Sequence, residues 1–170
     1  CSIRSLIKTG DLYGAEFCYT TIPYELDLFD CEAYLNNPMD FYVVCTDVET
    51  GKPVYRKCIT GRDEDLIWIR ASASMPIASR VVEATGYKLL DGGISDSIPL
   101  EYFESLGYNK NVVILTQPKG YIKKPSKALP LIKASLKDYP NVYKTMQNRH
   151  NDYNETISFI EEKEKSGDVL

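Results

Sequence analysis

Several residue types and sequence patterns are rare in this chain or missing from it. It contains one histidine, His150, and one tryptophan in 170 residues. No apolar run approaches the roughly 20 residues that a membrane-spanning helix needs. The five cysteines are an odd number at irregular spacing without a Cys-x-x-Cys pair, which indicates neither a disulfide framework nor a zinc site. We therefore expect a reducing, cytoplasmic location, and we expect no metal or other cofactor.

The first residues, Cys1 to Arg4, form neither a signal peptide nor a start at methionine. We therefore expect the sequence to be the interior of a longer protein. Its 44% hydrophobic and 26% charged residues are typical of an ordinary globular domain with a real core, and they argue against disorder.

Charge is distributed unevenly along the chain. Residues 1–65 carry twelve acidic against six basic residues, whereas residues 119–149 carry eight basic residues and only Asp138 as an acid. We interpret this basic run first as a solvated helix face, because such runs usually serve solubility. The alternative is peripheral contact with an anionic membrane. Nucleic acid is not expected as a partner, because no aromatic-basic recognition module accompanies the lysines.

A carboxylate ends an apolar run where Leu89-Leu90 is followed by Asp91-Gly92-Gly93. This pattern predicts a strand whose last residue is an acid. The two glycines can adopt positive φ without a Cβ penalty, so the chain can turn sharply beside Asp91 and present its side chain to a neighbouring element. The tripeptide alone more often marks an ordinary turn.

The flanking segments favour a functional role for this turn. Upstream lies Ala71-Ser72-Ala73-Ser74-Met75-Pro76, and downstream lies Ser97-Ile98-Pro99-Leu100. Together with Asp91-Gly92-Gly93 they resemble the patatin-like phospholipases, a family of serine acyl hydrolases. The resemblance covers roughly residues 39–117 as an order of elements, and three linked motifs are more specific than any one of them.

The resemblance implies an α/β fold with a mainly parallel central sheet flanked by helices in three layers. It also implies a Ser-Asp dyad, in which Asp91 takes the serine proton directly and Gly92 and Gly93 form the motif turn. The substrate would be a phospholipid or another acyl ester. There is no Gly-x-Ser-x-Gly in these residues, so we expect the serine and its oxyanion loop to precede Cys1 and the 170-residue chain alone to be inactive.

Other residues could be proposed as nucleophile or base. Neither Ser72 nor Ser74 occupies a strand-to-helix elbow, so we interpret both as packing residues. His150 lies in the polar helical context Asn148-Arg149-His150-Asn151 and is interpreted as a structural or surface residue. Two other kinds of protein remain as alternatives. One is a non-catalytic α/β binding module that contacts a membrane or protein partner through basic C-terminal helices, and the weaker one is a metal site on Asp91 and Asp96, which would have too few ligands.

The strand prediction rests on short β-branched and aromatic runs. Residues 40–47 and 53–58 predict a hairpin, and residues 81–84 and 86–90 predict two short strands that lead to Asp91. Residues 111–116 give the clearest pattern of a buried strand. Because a helix from Pro99 to Gly107 precedes that run, the pattern predicts a βαβ unit and a parallel sheet.

The helix prediction rests on apolar periodicity and on capping signals. Residues 11–24 predict a loop and residues 168–170 the start of a strand. Helices are predicted over residues 2–8, 27–35, 63–74, 126–137 and 140–166, of which the fourth must kink or begin late at Pro130. We accordingly divide the chain into a catalytic portion, residues 1–117, and a helical C-terminal extension packed on it, residues 118–170.

Overall fold

The structure, a computed structural model, describes residues 2–169. The elements follow in chain order as α1 (Ile3–Thr9), α2 (Cys31–Asn36), β1 (Phe41–Asp47), β2 (Pro53–Cys58), α3 (Glu64–Ser72), β3 (Val82–Ala84), β4 (Tyr87–Asp91), α4 (Leu100–Ser105), α5 (Leu129–Ser135) and α6 (Pro140–Ser166). A π-helical segment, Phe17–Leu26, lies between α1 and α2, and a single 3₁₀ turn, Gly92–Ile94, follows β4.

The four strands form one sheet in the order β2-β1-β4-β3. The predicted hairpin over residues 40–58 is confirmed, since β1 and β2 pair antiparallel from Phe41↔Cys58 to Thr46↔Pro53. β3 and β4 form a second hairpin joined by Thr85 and Gly86. Both turn residues have positive φ, which is the geometry that two-residue hairpin turns require.

The prediction of a mainly parallel sheet is wrong, because all three strand pairs in this sheet are antiparallel. The parallel prediction depended on residues 111–116 joining the sheet after α4. The two-residue connection between β3 and β4 can only join antiparallel neighbours, and the short connection between β1 and β2 also joins an antiparallel pair. The middle pair, β1 with β4, is antiparallel as well, with Thr46 opposite Leu90.

Residues 111–116 are not a buried strand. Val112 is 75% exposed and Ile114 is 89% exposed. Within residues 2–169 the segment makes a single parallel bridge, Asn111↔Val169. A strand needs a neighbouring strand that pairs with its backbone N–H and C=O groups. The β-branched pattern indicates a propensity for extended backbone, but it does not show that a partner strand is present. The strand predicted at residues 168–170 contributes only Val169 to this bridge, and Leu170 lies outside the described residues.

Helices cover both faces of the sheet, which confirms the α/β prediction with flanking helices. Successive strand residues point to opposite faces. Leu89 accordingly packs in a cluster with Trp68 and Ala71 of α3. Leu90 packs on the other side, in a cluster whose helical members come from α5 and α6. Those members are Ile132, Val142 and Met146, and Leu136 joins them from the position that follows α5.

The two C-terminal helices follow their sequence signals. α5 begins late, so that Pro130 lies in its first turn, where its missing N–H is not needed. α6 is one continuous amphipathic helix that ends at Ser166 and is capped by Gly167 with φ 84°. Nowhere in the described part of the chain is a helix both long enough and apolar enough to cross a membrane.

The N-terminal segment departs further from its prediction. Residues 11–24, predicted as a loop, include most of the π-helical segment, in which the N–H of Asp27 donates to the carbonyl of Ile22. α2 begins later than predicted because the Asp30 side chain caps it by accepting from the N–H of Ala33. The turn-forming residues of this segment therefore led to a loop prediction where the backbone is in fact helical.

A buried carboxylate closes the connection between β2 and α3. Asp65 is 2% exposed, and its Oδ2 accepts N–H hydrogen bonds from Ile59, Thr60 and Gly61 at 2.6 to 2.9 Å. Burial alone would raise the pKa of this carboxyl, but these donors and the Thr60 hydroxyl outweigh it and lower the pKa below its ordinary value. The loop thus depends on the ionised form of Asp65.

We expect Asp65→Asn to lower the free energy of unfolding by about 2 to 4 kcal/mol at pH 7, because an amide is a poorer acceptor for several donors. A carboxyl with a lowered folded pKa stabilises above its unfolded pKa, and that contribution is lost as pH falls through the folded pKa. The difference between wild type and variant should therefore shrink in acid. Urea unfolding at pH 7 and near pH 3 measures it.

Asp27→Asn is the matched control. Asp27 is exposed, so the same chemical change should alter the free energy of unfolding by less than about 0.5 kcal/mol. Equal effects of the two substitutions at pH 7 would contradict the role assigned to Asp65.

Candidate functional site

Strand β1 and the segment just after α3 together hold the backbone of Asp91. It is the last residue of β4 and lies opposite Cys45 of β1. Its N–H donates to the carbonyl of Ser74, just beyond α3, at 2.8 Å. Its own carbonyl accepts from the Thr46 hydroxyl at 2.8 Å. The predicted position of Asp91 at a strand end is confirmed, and the strand end is fixed from two sides.

The carboxylate of Asp91 has one oxygen engaged. Oδ1 accepts from the N–H of Gly93 at 2.7 Å and so caps the 3₁₀ turn. Within residues 2–169 no donor forms a hydrogen bond with Oδ2. Burial raises the pKa of Asp91 above its ordinary value, although the Gly93 N–H and the nearby Arg149 charge oppose the rise. Asp91 is therefore a stronger base than a solvated aspartate.

Gly92 is required for close approach rather than for positive φ. A Cβ on Gly92 would lie 2.2 Å from the carbonyl oxygen of Val44, in the middle of β1. Neither Gly92 nor Gly93 has φ in the left-handed region, so the predicted reason for the two glycines is wrong. The turn forms at residues 92–94 because only a hydrogen atom fits between the chain and the neighbouring strand.

Gly93 lies between the acid and the C-terminal helix. A Cβ there would be 3.0 Å from Oδ1 of Asp91 and 3.4 Å from the guanidinium of Arg149. Nε of Arg149 donates a hydrogen bond to the carbonyl of Gly93. The structure thus brings a residue of α6 onto the motif turn.

The sequence interpretation missed two contributors to this site. Thr46 binds the Asp91 carbonyl and also lies 2.7 Å from the hydroxyl of Ser95. A polar residue inside the apolar run of β1 was the available signal for Thr46. For Arg149 the signal was helical periodicity. The apolar face of the predicted helix over residues 140–166 passes through either Arg149 or His150.

The two serines before Pro76 support the packing interpretation. The Ser72 hydroxyl donates to the carbonyl of Val44 at 2.7 Å. Ser74 is 3% exposed, and its hydroxyl donates to the carbonyl of Arg70 at 2.8 Å. Neither hydroxyl contacts Asp91 by a hydrogen bond within the described chain. His150 likewise forms none with Asp91 there.

Asp96 is engaged away from Asp91. It accepts from the Tyr55 hydroxyl at 2.6 Å and from the N–H of Ile98 at 3.2 Å. Burial, followed by this hydrogen bond, raises the pKa of Tyr55. Among residues 2–169 no group of three or more His, Cys, Asp or Glu side chains is arranged to hold a metal ion.

Two lysines of the basic run over residues 119–149 make contacts within the chain, although the Lys119 side chain stays 77% exposed. Lys119 pairs with Glu164 at 3.0 Å. Lys123 places its Nζ 3.9 Å from the centre of the Tyr153 ring. Burial and then the charge of Arg149 lower the pKa of Lys123 to about 8. The basic run is therefore not a uniform solvated face.

We expect Gly92→Ala to lower the free energy of unfolding by about 3 to 5 kcal/mol or to prevent folding, because the clash is with backbone that cannot rotate away. Gly14→Ala is the matched control. Its Cβ would meet nothing nearer than the Phe17 Cβ at 3.5 Å, so its effect should stay within about 1 kcal/mol. Thermal unfolding measures both. Similar melting temperatures for the two variants would show that Gly92 does not need the close approach.

Comparison with known proteins bears on this site as a whole. A comparison with curated proteins gave no significant match. The family model described as patatin-like phospholipase matches residues 6–104, more than half of the chain. That span runs from α1 into α4 and includes Asp91, Gly92 and Gly93. The chain therefore belongs to the patatin-like phospholipase family.

Proposed function

We propose that this chain supplies the general base of a lipid acyl hydrolase that uses a Ser-Asp dyad, with Asp91 as the base and Gly92 and Gly93 as its turn. The observation that carries the proposal is the Asp91 carboxylate. One oxygen is held by Gly93 at 2.7 Å, the other accepts no hydrogen bond from residues 2–169, and burial raises the pKa.

This arrangement suits direct proton transfer from a serine. The serine oxygen attacks the ester carbonyl while its proton moves to Oδ2 of Asp91, and that proton then leaves on the departing alkoxide. Water hydrolyses the acyl-enzyme by the same route in reverse. A base with a raised pKa competes better for the hydroxyl proton, and the Gly93 bond holds the carboxylate in one orientation.

The nucleophile belongs, in this proposal, to residues that precede Cys1. Ser72 and Ser74 are poor substitutes because their hydroxyls already donate to backbone carbonyls. We further propose that residues 1–117 are the C-terminal portion of the catalytic domain. Residues 118–170 would then be an extension packed on it, and the cluster that joins Leu90 to α5 and α6 supports that packing.

The binding-module alternative receives less support. It requires basic C-terminal helices that are free to meet an anionic membrane or protein partner. Lys123 is engaged with the Tyr153 ring and Arg149 binds the turn, whereas Lys133 of α5 and Lys144 of α6 are exposed. We therefore keep the solvated face as the interpretation of the remaining lysines, and we favour the hydrolase.

We expect the purified 170-residue chain not to hydrolyse p-nitrophenyl butyrate, because a base without nucleophile and oxyanion donors lacks the groups that provide most of the acceleration. Absorbance at 400 nm, compared with a heat-killed sample, measures it. Turnover above that control which requires Ser72 or Ser74 would contradict the prediction.

In a protein that also contains the upstream serine, we expect Asp91→Asn to lower kcat by about a hundred- to ten-thousandfold, the usual effect of removing a positioned base. Asparagine keeps the shape of the side chain but not its basicity. His150→Ala should leave kcat within a few-fold of wild type, since a dyad requires no histidine. Steady-state hydrolysis of a phospholipid and of a p-nitrophenyl ester measures both.

Circular dichroism and melting temperature establish that each variant is folded. A folded Asp91→Asn variant with full activity would remove Asp91 from the mechanism. Loss of activity in His150→Ala alone would replace the dyad with a histidine-dependent mechanism.

A further inference from the structure

Arg149 connects the C-terminal helix to the proposed base. It lies on α6, 56 residues after Gly93, and its Nε donates to the Gly93 carbonyl. The N–H of the same glycine donates to Oδ1 of Asp91 at 2.7 Å. Gly93 is therefore held at both its polar groups, by Asp91 on one side and by Arg149 on the other.

Arg149 is not needed to attach α6 to the rest of the protein. Val142 and Met146 already pack in one cluster with Leu90 and Ile94. The Thr145 hydroxyl donates to the carbonyl of Gly51 at 2.8 Å. These contacts hold α6 on the sheet independently of Arg149, whose own hydrogen bond goes to the turn at Gly93.

Arg149 lies near a second cation, Lys123. Arg149 lies close enough to Lys123 to lower the pKa of that lysine. Within residues 2–169 no carboxylate comes within 4 Å of a nitrogen of Arg149, so no direct ion pair offsets the repulsion. Buried cations are usually paired with an acid, whereas the partly buried Arg149 has the Gly93 carbonyl as its hydrogen-bond partner within the described residues. Its charge opposes the effect of burial on the pKa of the Asp91 carboxyl.

We propose that Arg149 is a positioning residue for the dyad, which fixes Gly93 and through it the orientation of the Asp91 carboxylate from the C-terminal helix. This inference rests on the proposed function. It extends the site beyond the span matched by the family, since Arg149 lies after residue 104.

Other groups around Asp91 bring little charge. Cys45 faces it from β1, but burial raises the pKa of that thiol to about 12, so it is neutral near pH 7. Thr46 contributes a hydroxyl to the Asp91 carbonyl, and Ser74 contributes a carbonyl to its N–H. Among these neighbours Arg149 is the cation that opposes the effect of burial on the carboxyl.

The coupling can be tested in the 170-residue chain without any catalysis. Carbon-13 NMR of the aspartate carboxyl groups, with Asp91 assigned through Asp91→Asn, follows its titration in wild type, Arg149→Met and Arg149→Lys. We expect Asp91 to titrate at higher pH in Arg149→Met, because the charge and the anchor of Gly93 are both lost. Arg149→Lys should recover most of the change, since lysine keeps the charge.

Lys144→Met is the matched control, because Lys144 is an exposed cation on the same helix. It should leave the Asp91 titration where wild type has it. An unchanged titration in folded Arg149→Met, or an equal shift in Lys144→Met, would overturn the inference. Should Arg149→Met fail to fold, Arg149→Gln titrated in the same way decides between the outcomes.

Activity in the protein that includes the serine gives the second readout. We expect Arg149→Met to lower kcat on the order of ten- to a hundredfold with little change in KM, because the base is misplaced while substrate binding is untouched. The acid limb of the kcat/KM profile should move to higher pH. A purely structural role would not move that limb.

The two readouts separate failure of this inference from failure of the proposed function. If Asp91→Asn is fully active, the proposed function is wrong whatever the titration shows. If Asp91→Asn is inactive and Arg149→Met keeps wild-type kcat and acid limb, the dyad stands and the positioning role is wrong.

Discussion

The contact between Gly92 and the carbonyl of Val44 is the constraint on which the site depends. A side chain of any size at position 92 would place its Cβ 2.2 Å from that oxygen. With hydrogen alone there, the chain leaving β4 can pass over β1 and form its 3₁₀ turn. That turn carries the N–H of Gly93 to the carboxylate of Asp91. The orientation of the acid is thus set by how closely two segments of backbone approach.

The strand that leads to this close approach also packs against helices on both faces of the sheet. Leu89 and Leu90 are neighbours in β4, yet one packs against α3 and the other against α5 and α6, because strand side chains alternate. The strand that ends in Asp91 is consequently held by both helical layers. The C-terminal helices belong to the same folded unit as the acid, and Arg149 adds a direct contact from α6 to the turn.

Several parts of the fold could be predicted because their signals are local. The hairpin of β1 and β2, the strand ending at Asp91 and the amphipathic α6 follow from alternation, turn residues and helical periodicity. The parallel sheet could not be predicted correctly. Its prediction assumed a pairing partner for residues 111–116, and pairing is a property of two segments that are distant in the chain.

The sequence by itself determined that Asp91 ends a strand beside two glycines, since those signals are local, and its motifs identified the family. Only the tertiary structure decided why Gly92 must be glycine, which hydroxyl supports the Asp91 carbonyl and which helix brings a cation to Gly93. Those answers depend on contacts with Val44, Thr46 and Arg149. These three residues are far from residues 91–93 in the chain and reach them only after the sheet and α6 have packed, so no local sequence pattern encodes the contacts.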